Sequence, residues 1–484
     1  MRRSAAALAL SFLLAQAVAQ AEPALDLAEA ERLALENNRT LRASQAALDA
    51  SRWAARSSLL SYLPTGAFTS SVTRVDDNTL EQANQAQLGF QTILSNLGIG
   101  PDQVAIDPFL YRDTYRSSFT VNQEFPLNLH LIGGSRLARA GERGARQGFL
   151  ADRDALRLQV RQAYFRVLAA RELLTVAEDG LAAAENHARL AAEREQLGML
   201  NRADRLFWDA TAAGARSDLA AARAGESVAS MDLNRLLARP LDAPLELVPV
   251  ADDALARAAA LADEDPERLA DRALYESPSA RAIAAGDDAA DAGRLLAMSG
   301  LTPSLHFSVN VGWRENDTAA LDGYRSWSAT ALLNLPLLDL AGRWTDYRKA
   351  AADARRAHYA GDDAREQLRL AVRAACLEVT RSRESLAHRE EAARQADATL
   401  ALMQDRYTLG HISEYDLVDV QTADTAARAA AVQARYDHLA ALATLESLVG
   451  HGGSNPDGDL PLSPDQKAYG DSTLSPDTTV EEKP

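Results

Sequence analysis

LRLQVRQAYFRVLAAR (Leu156–Arg171) and LRLAVRAACLEVTRSR (Leu368–Arg383) are one stretch written twice. At an offset of 212, eight of the sixteen positions are identical. The same offset pairs Arg194 with Arg406, Gly198 with Gly410, Asp204 with Asp416 and Leu236 with Leu448. The chain therefore holds two copies of one structural unit. Both stretches lie inside long proline-free runs, Ser135–Leu197 and Arg343–Leu409, rich in Ala, Leu, Arg and Glu. These are good helix formers, and at 1.5 Å per residue each run makes a helix of roughly 95–100 Å. Shorter helices are expected before them (Leu27–Leu60, Pro266–Ser299) and after them (Asn201–Ala238, Ser413–Val449). The two short helices of each copy together match the long one, so they can lie end to end beside it. Their apolar stripes are mostly Ala and Leu with Arg and Glu between, the pattern of closely packed coiled coils.

Between the helices the period changes from 3.6 to 2. Leu305, Phe307, Val309, Val311 and Trp313 alternate with His306, Ser308, Asn310, Gly312 and Arg314. Trp327, Ala329, Ala331, Leu333 and Leu335 alternate with Ser326, Ser328, Thr330 and Asn334, interrupted by Leu332. Copy one offers Phe68, Ser70 and Val72, then Phe119, Val121, Gln123 and Phe125. Each run reads as a strand with one apolar and one polar face, about ten residues long, enough to cross a bilayer at a tilt. An amphipathic hairpin of a soluble sandwich gives the same alternation. The expected layout is a signal peptide over 1–21 and a first repeat over 22–240, with strands near 64–75 and 115–126. A linker over 241–265 leads to a second repeat over 266–450, with strands near 304–314 and 326–337. A disordered acidic tail over 451–484 closes the chain.

The 484 residues carry 51 Lys and Arg against 68 Asp and Glu, a net charge of −17. That balance argues against a nucleic-acid binder. The single cysteine, Cys376, excludes an intrachain disulfide framework and cysteine zinc fingers. Cys376 aligns with Tyr164 and reads as a packing residue. Arg2-Arg3, the apolar run that follows and Ala17-Val18-Ala19 read as a secretory signal peptide. The absence of cysteine from positions 1–30 means no lipid anchor is attached there. No later run of about 18 apolar residues exists, so any membrane crossing is made by strands. Four strands cannot close a barrel, and an open edge in hydrocarbon leaves backbone groups unpaired. Several chains must then share one barrel.

The segment RYTLGHISEYDLVDVQ (Arg406–Gln421), followed by Tyr436, Leu442, Leu445 and Gly450, resembles the second-repeat signature of the TolC-type outer-membrane efflux proteins, the outer membrane factors. The resemblance extends to the duplication, the two strands per repeat and the unequal helices. It implies a mainly α fold with a small transmembrane β part. A homotrimer would form a 12-stranded β-barrel continuous with a periplasmic α-helical coiled-coil barrel. It implies an exit duct in the outer membrane, extending into the periplasm. That duct serves a tripartite efflux or type I secretion system. Its partners would be outer-membrane lipid, a periplasmic adaptor (membrane fusion) protein, and an inner-membrane pump of RND, ABC or MFS type. No enzyme activity, cofactor, metal or nucleic acid is implied.

The turns Leu197-Gly198-Met199 and Leu409-Gly410-His411 join each long helix to the next, with glycine where a helix reverses. By resemblance these tips meet the adaptor. Asp416 and Asp419 are i and i+3 on one helix face, and Asp204 is their counterpart in copy one. A solvated face explains the pair equally well. The resemblance places matching aspartates at the constricted periplasmic mouth, where nine carboxylates from three chains would favour cations. It also implies a closed mouth held by a tyrosine and an arginine of the second repeat and an aspartate of the first. Tyr407 and Asp204 match two of these. Ile412 occupies the arginine position, and Arg202 is the substitute at hand.

Three further features are weighed. Gly133-Gly134-Ser135 lacks the residues of a phosphate loop and reads as a strand-to-helix hinge. The connection from Pro64 to Pro126 is far longer than that from Pro303 to Pro336. It includes Leu88–Gly100, either a cap on the outer mouth or a tolerated insertion. The rival functional reading is a periplasmic coiled-coil adaptor or scaffold, which leaves the strands unexplained.

Overall fold

The computed structural model describes residues 24–450 except 100–103, 105–107, 109, 126–128, 251–255, 317–320, 322, 336 and 410. The expected signal peptide, the acidic tail and Gly410 lie outside the described residues. The chain is mostly helical with one small antiparallel sheet, and its described residues form two compact units. Each unit draws on both sequence copies.

One unit comprises residues 37–153 and 278–367. Its sheet has the order β1-β2-β3-β4, all neighbours antiparallel. The strands are β1 (Thr65–Arg74), β2 (Asp113–Glu124), β3 (Ser304–Glu315) and β4 (Tyr324–Asn334). Register decides what the faces carry. Phe68 pairs with Phe119, Phe119 with Val311, and Val311 with Trp327. The neighbouring same-face row pairs Val121 with Val309 and Val309 with Ala329. Phe68, Phe119, Val121, Val309, Val311 and Trp327 thus fall on one face, whereas Leu332, opposite His306, falls on the other. The other face carries Ser118, Thr120, Asn310 and Ser328, with the Asn310 amide donating to Thr120 Oγ1 at 2.7 Å. Both outer strands are exposed along their whole length.

Each strand continues into, or comes from, a helix. Helix α2 (Arg39–Leu60) precedes β1, and α4 (Leu129–Gln196) follows β2. Helix α8 (Pro278–Met298) precedes β3, and α9 (Leu340–Thr408) follows β4. Ser44 donates to Asp152 across α2 and α4 at 2.6 Å, and Arg143 to Asp288 across α4 and α8 at 2.6 Å. Asp287 on α8 accepts from Arg365 on α9. The helices therefore follow the strand order. Gly133 and Gly134 are not a hinge, contrary to the sequence reading, because they lie inside α4. A Cβ on Gly133 would meet the Leu296 backbone at 2.8 Å, so glycine serves close helix approach. The long connection after β1 is not a featureless loop. It holds helix α3 (Asp77–Asn96), capped by Asp76. The Asn84 side-chain amide pins it to Leu110 through two 3.0 Å hydrogen bonds.

The other unit comprises residues 24–36, 154–277 and 368–450. It contains the remainder of α4 and α9, together with α1 (Leu27–Asn37, up to residue 36), α5 (Arg202–Leu236), α6 (Ala256–Ala262), α7 (Pro266–Glu276) and α10 (Glu414–Val449). Arg216 on α5 pairs with Glu185 on α4 at 2.7 Å. Arg428 on α10 pairs with Asp179 on α4 at 2.7 Å, and Ser382 on α9 meets His438 on α10 at 3.0 Å. The lateral order is α5, α4, α10, α9, so α5 and α9 are the edges. Near residue 164 a short bridge joins Leu25 to Leu247, and the Tyr164 hydroxyl sits within hydrogen-bond distance of the Leu25 and Val248 carbonyls. Burial pushes that phenol up to about 12, so it stays a donor. Cys376, its copy-two counterpart, is buried.

Candidate functional site

The tips are built by two copies of one helix-ending device. Helix α4 stops at Gln196, and Gly198 takes φ +71°. The Gly198 N–H donates to the Glu195 carbonyl at 2.9 Å, and the Met199 N–H to the Arg194 carbonyl at 2.8 Å. That is the paired bonding of a left-handed glycine cap. In the second copy the His411 N–H donates to the Arg406 carbonyl at 2.9 Å, the same bond 212 residues on. Leu197, Met199 and Leu409 stand exposed on these turns, as does His411.

The next helices start alike. The Asn201 side chain accepts from the Asp204 N–H at 2.9 Å and caps α5. Ser413 accepts from the Asp416 N–H at 3.2 Å, and Asp416 accepts in return from the Ser413 N–H at 3.1 Å. This is a full capping box. The Ser413 hydroxyl also donates to Asp416 at 2.7 Å. These bonds hold the Asp416 carboxyl below its ordinary range, so it is charged at neutral pH. Asp419 is exposed one turn further on, and Asp204 is half-buried.

Between the two tips lies a small core of Trp208, Leu417 and Ala191. His187 stacks on Trp208 with ring centroids 4.7 Å apart, and Tyr407 meets His187 edge-on at 6.2 Å. Gln421 and His187 approach to 2.8 Å. The Tyr407 hydroxyl accepts from Arg194 at 3.0 Å and donates to Glu414 at 3.2 Å. The Arg194 guanidinium also lies over the Tyr407 ring at 5.4 Å. Burial raises the Tyr407 phenol, which keeps its proton for Glu414.

Among the described residues no hydrogen bond or ion pair joins the expected gate residues to one another. Tyr407 is half-buried, but its partners here are Arg194 and Glu414. Arg202 is exposed and makes no ion pair among the described residues. Ile412 packs against the Trp208 and Leu417 core, which accounts for an apolar residue at the expected arginine position. Arg194, Glu414 and His187 were not singled out from the sequence as site residues. Arg194 had a signal, since it precedes Gly198 by four residues and recurs as Arg406. Among the described residues no group of His, Cys, Asp or Glu has the arrangement to hold a metal ion.

Residues 269–451 match the family described as outer membrane efflux protein. No curated protein matches the chain. Solved structures do, across its length. The Campylobacter jejuni CmeC outer membrane channel is 14% identical with a TM-score of 0.72, covering 88% of this chain and 85% of that one. VceC, an outer membrane protein of Vibrio cholerae, is 15% identical with a TM-score of 0.70, covering 88% and 96%. The open state of the Neisseria gonorrhoeae MtrE outer membrane channel is 19% identical with a TM-score of 0.69, covering 88% and 89%. The matched segment therefore sits in a chain whose fold is that of these outer-membrane channels.

Proposed function

We propose that the chain is one subunit of an outer-membrane exit duct for an efflux or type I secretion system. The duct is a passive conduit coupled through a periplasmic adaptor to an inner-membrane pump. The observation that carries this reading is the sheet. Its register gathers most of the large apolar side chains on one face, where Phe68, Phe119 and Trp327 stay exposed, and leaves β1 and β4 without outer partners among the described residues. A sheet of this kind is stable in lipid only when other copies close it. Three copies of a four-stranded sheet make a barrel of twelve, wide enough for a lumen lined by the polar face. The edge helices support the same assembly. Helix α5 exposes Leu206 and Val228, and α9 exposes Leu370, Leu377 and Leu402. An adaptor or scaffold has no use for such a sheet.

In this duct the tips meet the adaptor, and Leu197, Met199, Leu409 and His411 are the contact residues, with Gly198 setting the first turn. Asp204, Asp416 and Asp419 line the periplasmic mouth, with Tyr407 as the tyrosine of its closing network and Arg202 beside it. Ordinary outer-membrane placement follows, with the helices in the periplasm.

The test is conductance in planar bilayers. The purified protein is expected to be trimeric in detergent and to form cation-preferring channels blocked from the tip side by multivalent cations. Asp416→Asn with Asp419→Asn should weaken both the preference and the block. A monodisperse monomer in detergent-free buffer sinks the duct. Unchanged selectivity and block in the double variant sink the mouth assignment alone.

A further inference from the structure

We propose that a groove on α4 and α8, close to the sheet, binds the phosphate of an anionic phospholipid headgroup in the periplasmic leaflet. Arg136, Arg139 and Arg143 occupy i, i+3 and i+7 on α4 and so share one face. Asp288, Asp291 and Arg294 of α8 stand opposite, in a groove of about 660 Å³. Four guanidiniums face two carboxylates, a local charge of 4 − 2 = +2 in a chain of net −17. Arg143 pairs with Asp288 at 2.6 Å and Arg294 with Asp291 at 3.4 Å. Arg136 and Arg139 make no ion pair among the described residues. Two unneutralised guanidiniums on one side of a headgroup-sized groove are a site for a phosphate, which arginine grips with paired N–H groups.

The position selects the lipid. Helix α4 begins five residues after β2 ends, and α8 ends six residues before β3 begins. Arg136 is seven residues into α4, roughly 10 Å along its axis. Tyr347 of α9 lines the same groove, and its ring lies 5.6 Å from that of exposed Trp344. Trp and Tyr beside arginine at the end of membrane strands mark the headgroup level, where basic pockets hold anionic lipid. The sheet order gives a second reason. Strands β2 and β3 are central, so the helices attached to them are not the edges that another copy covers. The α4 and α8 walls of the groove are therefore not the faces that another copy would cover.

This inference rests on the duct reading, and one preparation separates the two. The full chain in detergent is titrated with phosphatidylglycerol and, separately, phosphatidylethanolamine, with bound lipid counted by native mass spectrometry. Conductance is recorded from the same material. Phosphatidylglycerol is expected to bind at least tenfold more tightly. Arg136→Gln with Arg139→Gln should abolish that preference, while Arg355→Gln with Arg356→Gln on the α9 surface should not. Equal binding of both lipids, or an unchanged preference in the Arg136 and Arg139 variant, overturns the proposal while conducting protein upholds the duct. Inorganic phosphate that binds at the groove as tightly as the lipid and displaces it also overturns the lipid assignment in favour of a free-anion site. Protein that neither assembles nor conducts overturns both readings.

Discussion

Phe165 and Leu377 are the same position in the two copies, 212 residues apart on the two long helices, yet Phe165 is 1% exposed and Leu377 72%. Arg161 and Arg373 differ likewise. Arg161 has a side chain 13% exposed between Glu31 at 2.5 Å and Glu446 at 2.6 Å. Arg373 is half exposed and, among the described residues, pairs only with Glu267 at the surface. The difference comes from lateral place. In their shared unit α4 has α5 on one side and α10 on the other, whereas α9 is an edge. Duplication made the same helix twice, and the fold finished packing only one of them. The unfinished copy is the one whose apolar residues ask for another subunit.

The buried ion triad should break most expensively. Arg161→Ala leaves Glu31 and Glu446 facing each other in a nearly dry site, and stranding buried charge costs about 3–5 kcal/mol. The equivalent Arg373→Ala removes an exposed pair and should cost less than about 1 kcal/mol. Chemical denaturation midpoints of the two variants measure this. Equal midpoints would mean that the two copies are packed alike.

Truncation of the apolar pair sharpens the same contrast in a different readout. Phe165→Ala should destabilise the subunit by about 3 kcal/mol through lost burial and a cavity. Leu377→Glu should leave subunit stability within about 0.5 kcal/mol, as a surface change does. In the proposed trimer it should instead lower the trimeric fraction in detergent, read by light scattering. If Leu377→Glu trimers persist at wild-type level, that stretch of α9 is not a subunit interface.

The contrast also marks how far a sequence can be read. Duplication, long helices and alternating strands are local patterns, and residues such as Phe307, Val309 and Val311 announce their period without help. The tips were legible because glycine reversal and capping are also local, as Gly198 and Ser413 show. What could not be read were contacts made across elements. His187 and Trp208 are 21 positions apart, and Arg194 and Tyr407 are 213 apart in the chain. Nothing in the spacing of either pair predicts their meeting. Ile412 is instructive for the same reason. It departs from the family pattern, and only the packed cluster around Leu417 explains what it does there. Gly133 misled because glycine signals either a bend or a close approach, and a neighbouring helix decides which.

The caps at the tips test whether the two copies remain alike where they are locally the same. Asn201→Ala and Ser413→Ala each remove a side-chain acceptor from the first turn of a helix, at about 1 kcal/mol. Ser413 has the reciprocal bond from Asp416 and Asn201 has no such box, so Ser413→Ala should be the costlier of the two. Hydrogen exchange of the amides in each first turn reads the effects separately. A larger loss at Asn201 would show that the cluster around Trp208, not the cap, holds the second tip.

The smallest effect concerns a side chain that only copy one has. His187 corresponds to Thr399, and it packs on Trp208 with no charged partner to favour its protonation. Burial, and secondarily the Arg194 guanidinium, lower its pKa below the ordinary 6.5. A histidine whose folded pKa is depressed binds protons more readily when released, so its burial favours the folded tip above the unfolded pKa. That contribution is lost as pH falls through 6.5 toward the lower folded value. The first tip should therefore loosen between pH 7.5 and pH 5 more than the second, seen as faster exchange of amides near His187 and Trp208. His187→Gln, which can still meet Gln421 but carries no titrating proton, should remove the pH-dependent part and leave the remainder. Loosening that persists unchanged in His187→Gln would assign it to groups other than His187.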